Sequence, residues 1–139
     1  MISQTTEYAL RAIVHLAAGT EPQTTQTIAA ATKVSPGYLS KVLQILGRAG
    51  LVRSQRGLGG GFVLDADPAT LTILDVVDAV DPIQRITHCP LKIEEHGTNL
   101  CPLHRQLDDA AHCVEQAFRN TTVLELLNDG SNPSLPLCG

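Results

Sequence analysis

A mainly α fold with a small β-hairpin and a long C-terminal helix is predicted by three patterns in this sequence. Helical segments fill most of residues 3–50, two of them separated by a tight turn. Two strand-like pieces then flank a glycine-rich tip at residues 56–61. From Pro102 onward, apolar residues recur at alternating intervals of four and three. At 139 residues the chain supports one domain, with or without an appendage. It buries roughly two-thirds of its unfolded surface, so metal or disulfide staples are not needed merely to fold it.

Taken in order, Leu10, Ile13, Val14 and Ala17 recur at helical spacing over residues 3–18, and Gly19 can end that helix. Thr25 can cap a short Ala-rich second helix reaching Thr32, followed by a turn at Lys33 and Val34. Ser35 and Pro36 open a third helix, Ser as N-cap and Pro at the first position, where its missing N–H costs nothing. Leu39, Val42, Leu43 and Leu46 line its buried face, and Gly50 supplies the left-handed residue that ends it. Residues 51–55 and 62–64 read as the two arms of a hairpin. A helix-turn-helix followed by a hairpin is a winged helix.

Thr72 can cap a fourth helix with Ile73, Val76, Val77 and Val80 facing inward, stopped at Asp81 and Pro82. After a Cys- and His-bearing loop, Leu103, Leu107, Ala110, Val114 and Ala117 form a seam about two heptads long on the last long helix. Two such helices can approach across a two-fold axis, so a homodimer is expected, with packing of the seam against the molecule's own core as the alternative. The domain plan is a winged helix-turn-helix over 1–80, a Cys/His sensor loop over 81–101, a dimerisation helix with a short final helix over 102–127, and a loose tail over 128–139.

The formal net charge is -4, but its distribution matters more than its total. Residues 1–64 carry six basic against two acidic side chains, whereas residues 65–139 carry four against twelve. No acid lies between Pro22 and Leu64, and five bases fall between Lys33 and Arg56. A basic front suits a polyanion, and an acidic back suits solubility. No apolar run approaches the ~18 residues of a membrane span, and the first residues lack the pattern of a signal peptide. A cytoplasmic protein without membrane partners is expected.

In a helix-turn-helix the second helix enters the major groove, while flanking groups hold phosphates. Here Ser35, Gly37, Tyr38, Ser40 and Lys41 lie near the start of that helix. Tyr38 suits either a thymine methyl or phosphate contact or core packing. Arg53 and Arg56 flank the hairpin tip, where Gly59 and Gly60 let the backbone approach a phosphate or a minor groove. The glycine-rich tip does not fit a nucleotide-binding loop, since no Lys-Ser or Lys-Thr follows and a strand rather than a helix continues. With two Phe, two Tyr and no Trp, stacking platforms for single strands are scarce. Double-stranded DNA is the polyanion of choice.

The stretches Tyr8-Ala9-Leu10-Arg11-Ala12, Val34-Ser35-Pro36-Gly37-Tyr38-Leu39, Gly50-Leu51-Val52 and Arg56-Gly57-Leu58-Gly59-Gly60-Gly61-Phe62 carry a resemblance. Across roughly residues 1–127 the chain resembles the Rrf (Rrf two) family of bacterial winged-helix transcriptional regulators. The resemblance implies a homodimeric repressor or activator with a long dimerisation helix. Cluster-holding members, the IscR and NsrR types, sense iron-sulfur status, nitric oxide or redox conditions.

All four cysteines, Cys89, Cys101, Cys113 and Cys138, lie in the acidic half. Clustered with His96 and His104, they suggest metal or redox chemistry rather than a disulfide framework. Cys101 falls at the N-cap of the long helix, a position that favours a thiolate, and His104 can fold back to share an ion with it. By the resemblance, Cys89 and Cys101 are similar to the outer two of three cluster cysteines, and Cys101-Pro102-Leu103-His104 to the family's Cys-x-x-His. The middle cysteine is missing, which leaves His96, Glu95, Cys113 or Glu7 from a second copy to complete the set. A two-iron two-sulfur cluster with mixed ligation, zinc on Cys89, His96, Cys101 and His104, and a metal-free thiol switch between Cys89 and Cys101 all stay open. Cys113 suits a small apolar packing role and Cys138 an incidental one. A zinc-bearing protein-interaction module is the rival from another class. An enzyme is not expected, because no third group orients a Cys101 and His104 pair and no oxyanion site is visible.

Overall fold

The structure is a computed structural model and describes residues 2–88 and 100–129. Six helices and one two-stranded antiparallel sheet follow in the order α1 (Gln4–Ala17), α2 (Thr25–Thr32), α3 (Pro36–Arg48), β1 (Val52–Gln55), β2 (Gly61–Leu64), α4 (Ile73–Val80), α5 (Pro102–Arg119) and α6 (Val123–Leu127). The winged helix-turn-helix with its long C-terminal helix is therefore observed.

Local chemistry explains most boundaries. Ser3 caps α1 by accepting from the Thr6 amide. Thr24, not Thr25, caps α2 by accepting from the Thr27 amide, so Thr25 becomes the first helical residue. Lys33 ends α2 in the left-handed conformation at φ 59° and turns the chain into α3. Ser35 is the α3 N-cap without a side-chain capping bond, and Pro36 presets the first turn. Gly50 (φ 78°) closes the far end. Thr72 and Thr122 each form a full capping box, with Asp75 and Glu125 reaching back to the cap amide.

The core gathers around α1, which packs against α2, α3, α4, α6 and β2. Its buried face is Ala9, Ala12, Ile13, Val14 and Leu16, rotated from the expected stripe; Leu10 and Ala17 are only half-buried. The small Ala9 and Ala12 let neighbouring helices close in, and that close approach turns the face. In α4, likewise, Leu74, Val76 and Val77 are buried while Ile73 and Val80 are half-buried. On α3 the expected Leu39, Val42, Leu43 and Leu46 are all buried. Val123 of α6 also sits in this core with no exposed area. Backbone bonds fasten it there: Val123 N–H to Leu71 O (2.8 Å) and Ile73 N–H to Thr121 O (3.0 Å).

The hairpin pairs Val52 with Leu64 and Gln55 with Gly61. A third partner escaped expectation: Gln23 bridges Phe62 by reciprocal backbone bonds of 3.0 and 2.7 Å, tying the wing to the segment before α2. The approach is so close that a Cβ on Gly61 (φ 150°) would lie 2.3 Å from the Gln23 carbonyl oxygen. Gly61→Ala should therefore lower stability by roughly 1–3 kcal/mol through overpacking and backbone strain. Chemical denaturation checks this; an unchanged midpoint would mean that Gln23 can retreat freely.

Candidate functional site

At the start of α3, Ser35, Gly37, Ser40 and Lys41 are exposed on one end of the helix. Tyr38 is the candidate whose groups are spent inside the protein. Its ring meets Tyr8 edge-on at 5.4 Å and 87°, and its hydroxyl hydrogen-bonds Thr5 Oγ1. Tyr8 is in turn covered by the Arg11 guanidinium, 5.3 Å from the ring centroid. Arg11 also donates to Thr32 O at the end of α2 (3.0 Å). This chain of contacts fixes α3 against α1 and so sets how α3 projects.

On the wing, Arg53 pairs with Asp65 at 3.2 Å, which neutralises part of its charge. The Arg56 and Lys41 side chains are exposed and form no hydrogen bond or ion pair among the described residues. Gly57, Gly59 and Gly61 all have positive φ, and a Cβ on Gly60 would lie 2.3 Å from Gln55 O. The tip is thus a tight, nearly side-chain-free turn beside a bare guanidinium. Glycine content signalled this in the sequence. For Tyr38 the sequence left core packing and a DNA contact equally open, and the packed alternative is the one observed.

The second cluster lies at the start of α5. Cys101 is its N-cap, and Cys101 Sγ stands 2.9 Å from His104 Nδ1. The expected fold-back of His104 is therefore present. Cys89, His96, Glu94, Glu95 and Cys138 lie outside the described residues. Among the described residues no group of three His, Cys, Asp or Glu side chains converges as a metal site. Cys113 is exposed rather than packed. It stands twelve residues beyond Cys101, roughly 18 Å along the helix, so it cannot share an ion with Cys101 of the same chain. Glu7 is engaged by Arg11 at 2.9 Å.

Sequence reasoning missed the clamp that lies one turn further along α5. Arg85, just after α4, binds Asp108 through both carboxylate oxygens (2.7 and 2.8 Å), and the Ile86 amide donates to Oδ1 at 2.8 Å. Arg85 Nη1 also lies 3.1 Å from His112 Nδ1 and 3.7 Å from Glu115. Cys101, His104, Asp108, His112 and Glu115 succeed one another at intervals of three and four, so they form one stripe along α5. Hydrogen bonds from Arg85 and then from the Ile86 amide hold the Asp108 carboxyl down to about 2. The Arg85 guanidinium is correspondingly pushed up, first by its hydrogen bond to Asp108. On α4, burial first and then the charges of Glu115 and Asp75 push the Asp78 carboxyl up, against Arg119.

The sequence profile of the Rrf2 family, described as iron-dependent transcriptional regulators, matches residues 2–129. The chain belongs to this family of DNA-binding transcriptional regulators. It is similar to a protein of Aquifex aeolicus (strain VF5) named as an HTH-type transcriptional regulator, 30% identical over 132 residues, 92% of each chain. It is 36% identical over 96 residues to the HTH-type transcriptional regulator IscR of Vibrio vulnificus, covering 69% of this chain but only 57% of that regulator's length. Among solved structures, CymR, the global cysteine regulator of B. subtilis, superposes with a TM-score of 0.76 at 28% identity over 91% of this chain and 95% of CymR. The IscR of T. potens superposes at 0.79 with 20% identity over 96% and 90% of the two chains, a likeness of fold. No helix among the described residues is long and apolar enough to cross a membrane.

Because the folded-state value of Asp108 is depressed, the clamp contributes fully above the ordinary carboxylate range, near 4, and is lost as pH falls through about 2. The Ile86 amide shift in an NMR titration should follow this acid transition. Asp108→Ala should abolish the transition and raise the exchange rate of that amide; an Ile86 amide indifferent to the substitution would refute the clamp.

Proposed function

We propose that the chain works as a homodimeric, sequence-specific regulator whose α3 enters the major groove, whose wing lies along the flanking backbone and minor groove, and whose α5 end serves as a sensor. The carrying observation is the contrast between two surfaces. Lys41 and Arg56 stand unpaired on an acid-free stretch, while Leu103 and Leu107 stand 63% and 49% exposed on α5. Ala110 and Ala117 are exposed on the same seam. An apolar row of this kind on a charged helix suits a partner helix, and small residues let two backbones approach. A two-fold dimer would present its α3 helices to half-sites about one helical turn, roughly 34 Å, apart or slightly more.

For the sensor, the converged thiol and imidazole at the start of α5 are donors that fit zinc or an iron-sulfur centre, soft sulfur with borderline nitrogen. Cys101 and His104 would hold such a group together with Cys89, and His96 or Glu7 of a second copy would complete the set. A bound iron-sulfur centre would supply a redox-sensitive charge; the chain's own part is to orient Sγ and Nδ1 toward one point and to carry that point on the dimer helix. A metal-free thiol switch is the second reading, favoured by the 2.9 Å contact of Cys101 Sγ with His104 Nδ1, which keeps an imidazole beside the thiol. The resolved likeness of the fold to CymR is compatible with either.

Arg56→Ala should weaken duplex binding and reduce the slope of log affinity against log salt by about one counterion. Titrations at several salt concentrations check this, and an unaltered slope would remove Arg56 from the interface. Val114→Glu should yield a monomer at micromolar concentration in sedimentation, since two like charges would face each other across the seam. Cys101→Ser should lose iron or zinc from anaerobically purified protein while Cys113→Ser keeps it. Full metal content in Cys101→Ser would discard the ligand set, and metal-free wild-type protein with a Cys89 to Cys101 disulfide on oxidation would favour the thiol switch.

A further inference from the structure

We propose that Leu58 is a specificity-determining contact that selects against G·C pairs by seating an apolar side chain on the floor of the minor groove. The proposal rests on the wing being a DNA contact and adds to it the residue and the sequence preference.

Leu58 is the only side chain between Arg56 and Phe62, because residues 57 and 59–61 are all glycine. Whatever the tip meets, it meets through this leucine or through bare backbone. The turn is fixed rather than loose: the Gly60 amide donates to Gly57 O at 3.0 Å, Gly57 and Gly59 hold φ of 102° and 75°, and a Cβ on Gly60 would collide with Gln55 O. That frame holds Leu58 outward with 107% of its reference area exposed, the most exposed large apolar side chain described. A solvated turn gains nothing from a leucine there, since a polar residue would avoid the exposed apolar area.

The neighbourhood names the occupant. Arg56 stands unpaired beside the tip, and no acid occurs from Pro22 to Leu64, so the partner surface is anionic with an apolar recess. The DNA minor groove has that character: phosphates form its rims, and sugars and base edges its floor. Along that floor A·T and T·A present only acceptors, while G·C adds the protruding guanine 2-amino donor. An apolar side chain cannot satisfy that donor and is displaced by it. Leu58 therefore discriminates by exclusion, a mode that needs no hydrogen bond.

The test uses a duplex selected by the wild-type protein from a random library. Each A·T pair in the minor groove protected by the wing is replaced by G·C or by inosine·C, which keeps the major-groove pattern of G·C but lacks the 2-amino group. Wild-type protein should lose at least about fivefold in affinity with G·C, within the usual cost of a mismatched pair, and recover it with inosine·C. Leu58→Ala, which removes no internal contact and should keep its melting temperature, should bind G·C and A·T versions within about twofold of each other, with its salt slope unchanged. Arg56→Ala should keep the discrimination and lose the slope. A G·C penalty that survives in Leu58→Ala, or none in the wild type, overturns the proposal. If the wing protects no DNA and Arg56→Ala binds like wild type, the failure lies in the wing as a contact, and the proposal falls with it.

Discussion

The close approach of helices to α1 is the constraint on which the rest of the molecule depends. Ala9, Ala12 and Ile13 have no exposed area, and around them stand α2, α3, α4, α6 and β2. Alanines at two of these three positions bring neighbouring backbones near, and an interior packed to crystal-like density tolerates little change of volume there. Everything that positions the proposed DNA-facing surface is referred to this helix. Tyr38 leans on Tyr8 and Thr5, Arg11 reaches the last carbonyl of α2, and Gln23, between α1 and α2, pins the wing. The proposed reading surface is thus the outer edge of a core whose centre is α1.

The acidic half is anchored in that core, through α4 and α6, rather than appended to it. Val123 is buried in the same cluster as Ile13 and Leu39, held by its backbone bond to Leu71 O, and with the bond from Ile73 N–H to Thr121 O this sets the end of α5 beside the start of α4. Between these anchors α5 shows three faces. Ala111 turns inward, Asp108, His112 and Glu115 meet the segment after α4, and Leu103, Leu107, Ala110 and Ala117 are left outside. One helix therefore bears both the proposed sensor and the proposed dimer seam. Under the proposed function no separate transmitting element is required.

Most of the fold was legible because its signals are local. Pro36, Gly50 and Thr72 each act within a turn of their own position, and the α3 stripe from Leu39 to Leu46 needs only helical spacing. The failures arise where a distant partner decides. The α1 face turned toward Ala9 and Ala12 because hydrophobicity alone does not report close helix approach. Gln23 gave no strand signal, since a single bridging residue has no alternation to detect. Thr24 and Thr25 are chemically alike, so only the observed backbone separates cap from first helical residue. At the candidate site, the meeting of Cys101 and His104 followed from their spacing at a helix start, whereas the Arg85 and Asp108 pair, 23 residues apart, had no sequence pattern to announce it.

That clamp also constrains how a sensor at the start of α5 can act. The chain reaches His88 only three residues after Arg85, and Arg85 and Ile86 are both bound to Asp108. It returns to α5 through Leu100 and Cys101, seven residues before Asp108, roughly 10 Å along the axis. Both ends of the intervening segment are therefore fastened to one helix, one by the peptide chain and one by a bidentate ion pair with an added amide bond. A charged, planar pair of this geometry is stiffer than a single hydrogen bond. A ligand or bond joining Cys101 to a residue of that segment would close a short circuit on α5. Its formation would be felt by α5 and, through Arg85, by the end of α4, whose Val76 and Val77 rest in the core beneath α1 and α3. The route from the sulfur atom to the recognition helix would then run through packed side chains and one ion pair, all of which can be altered without touching either site.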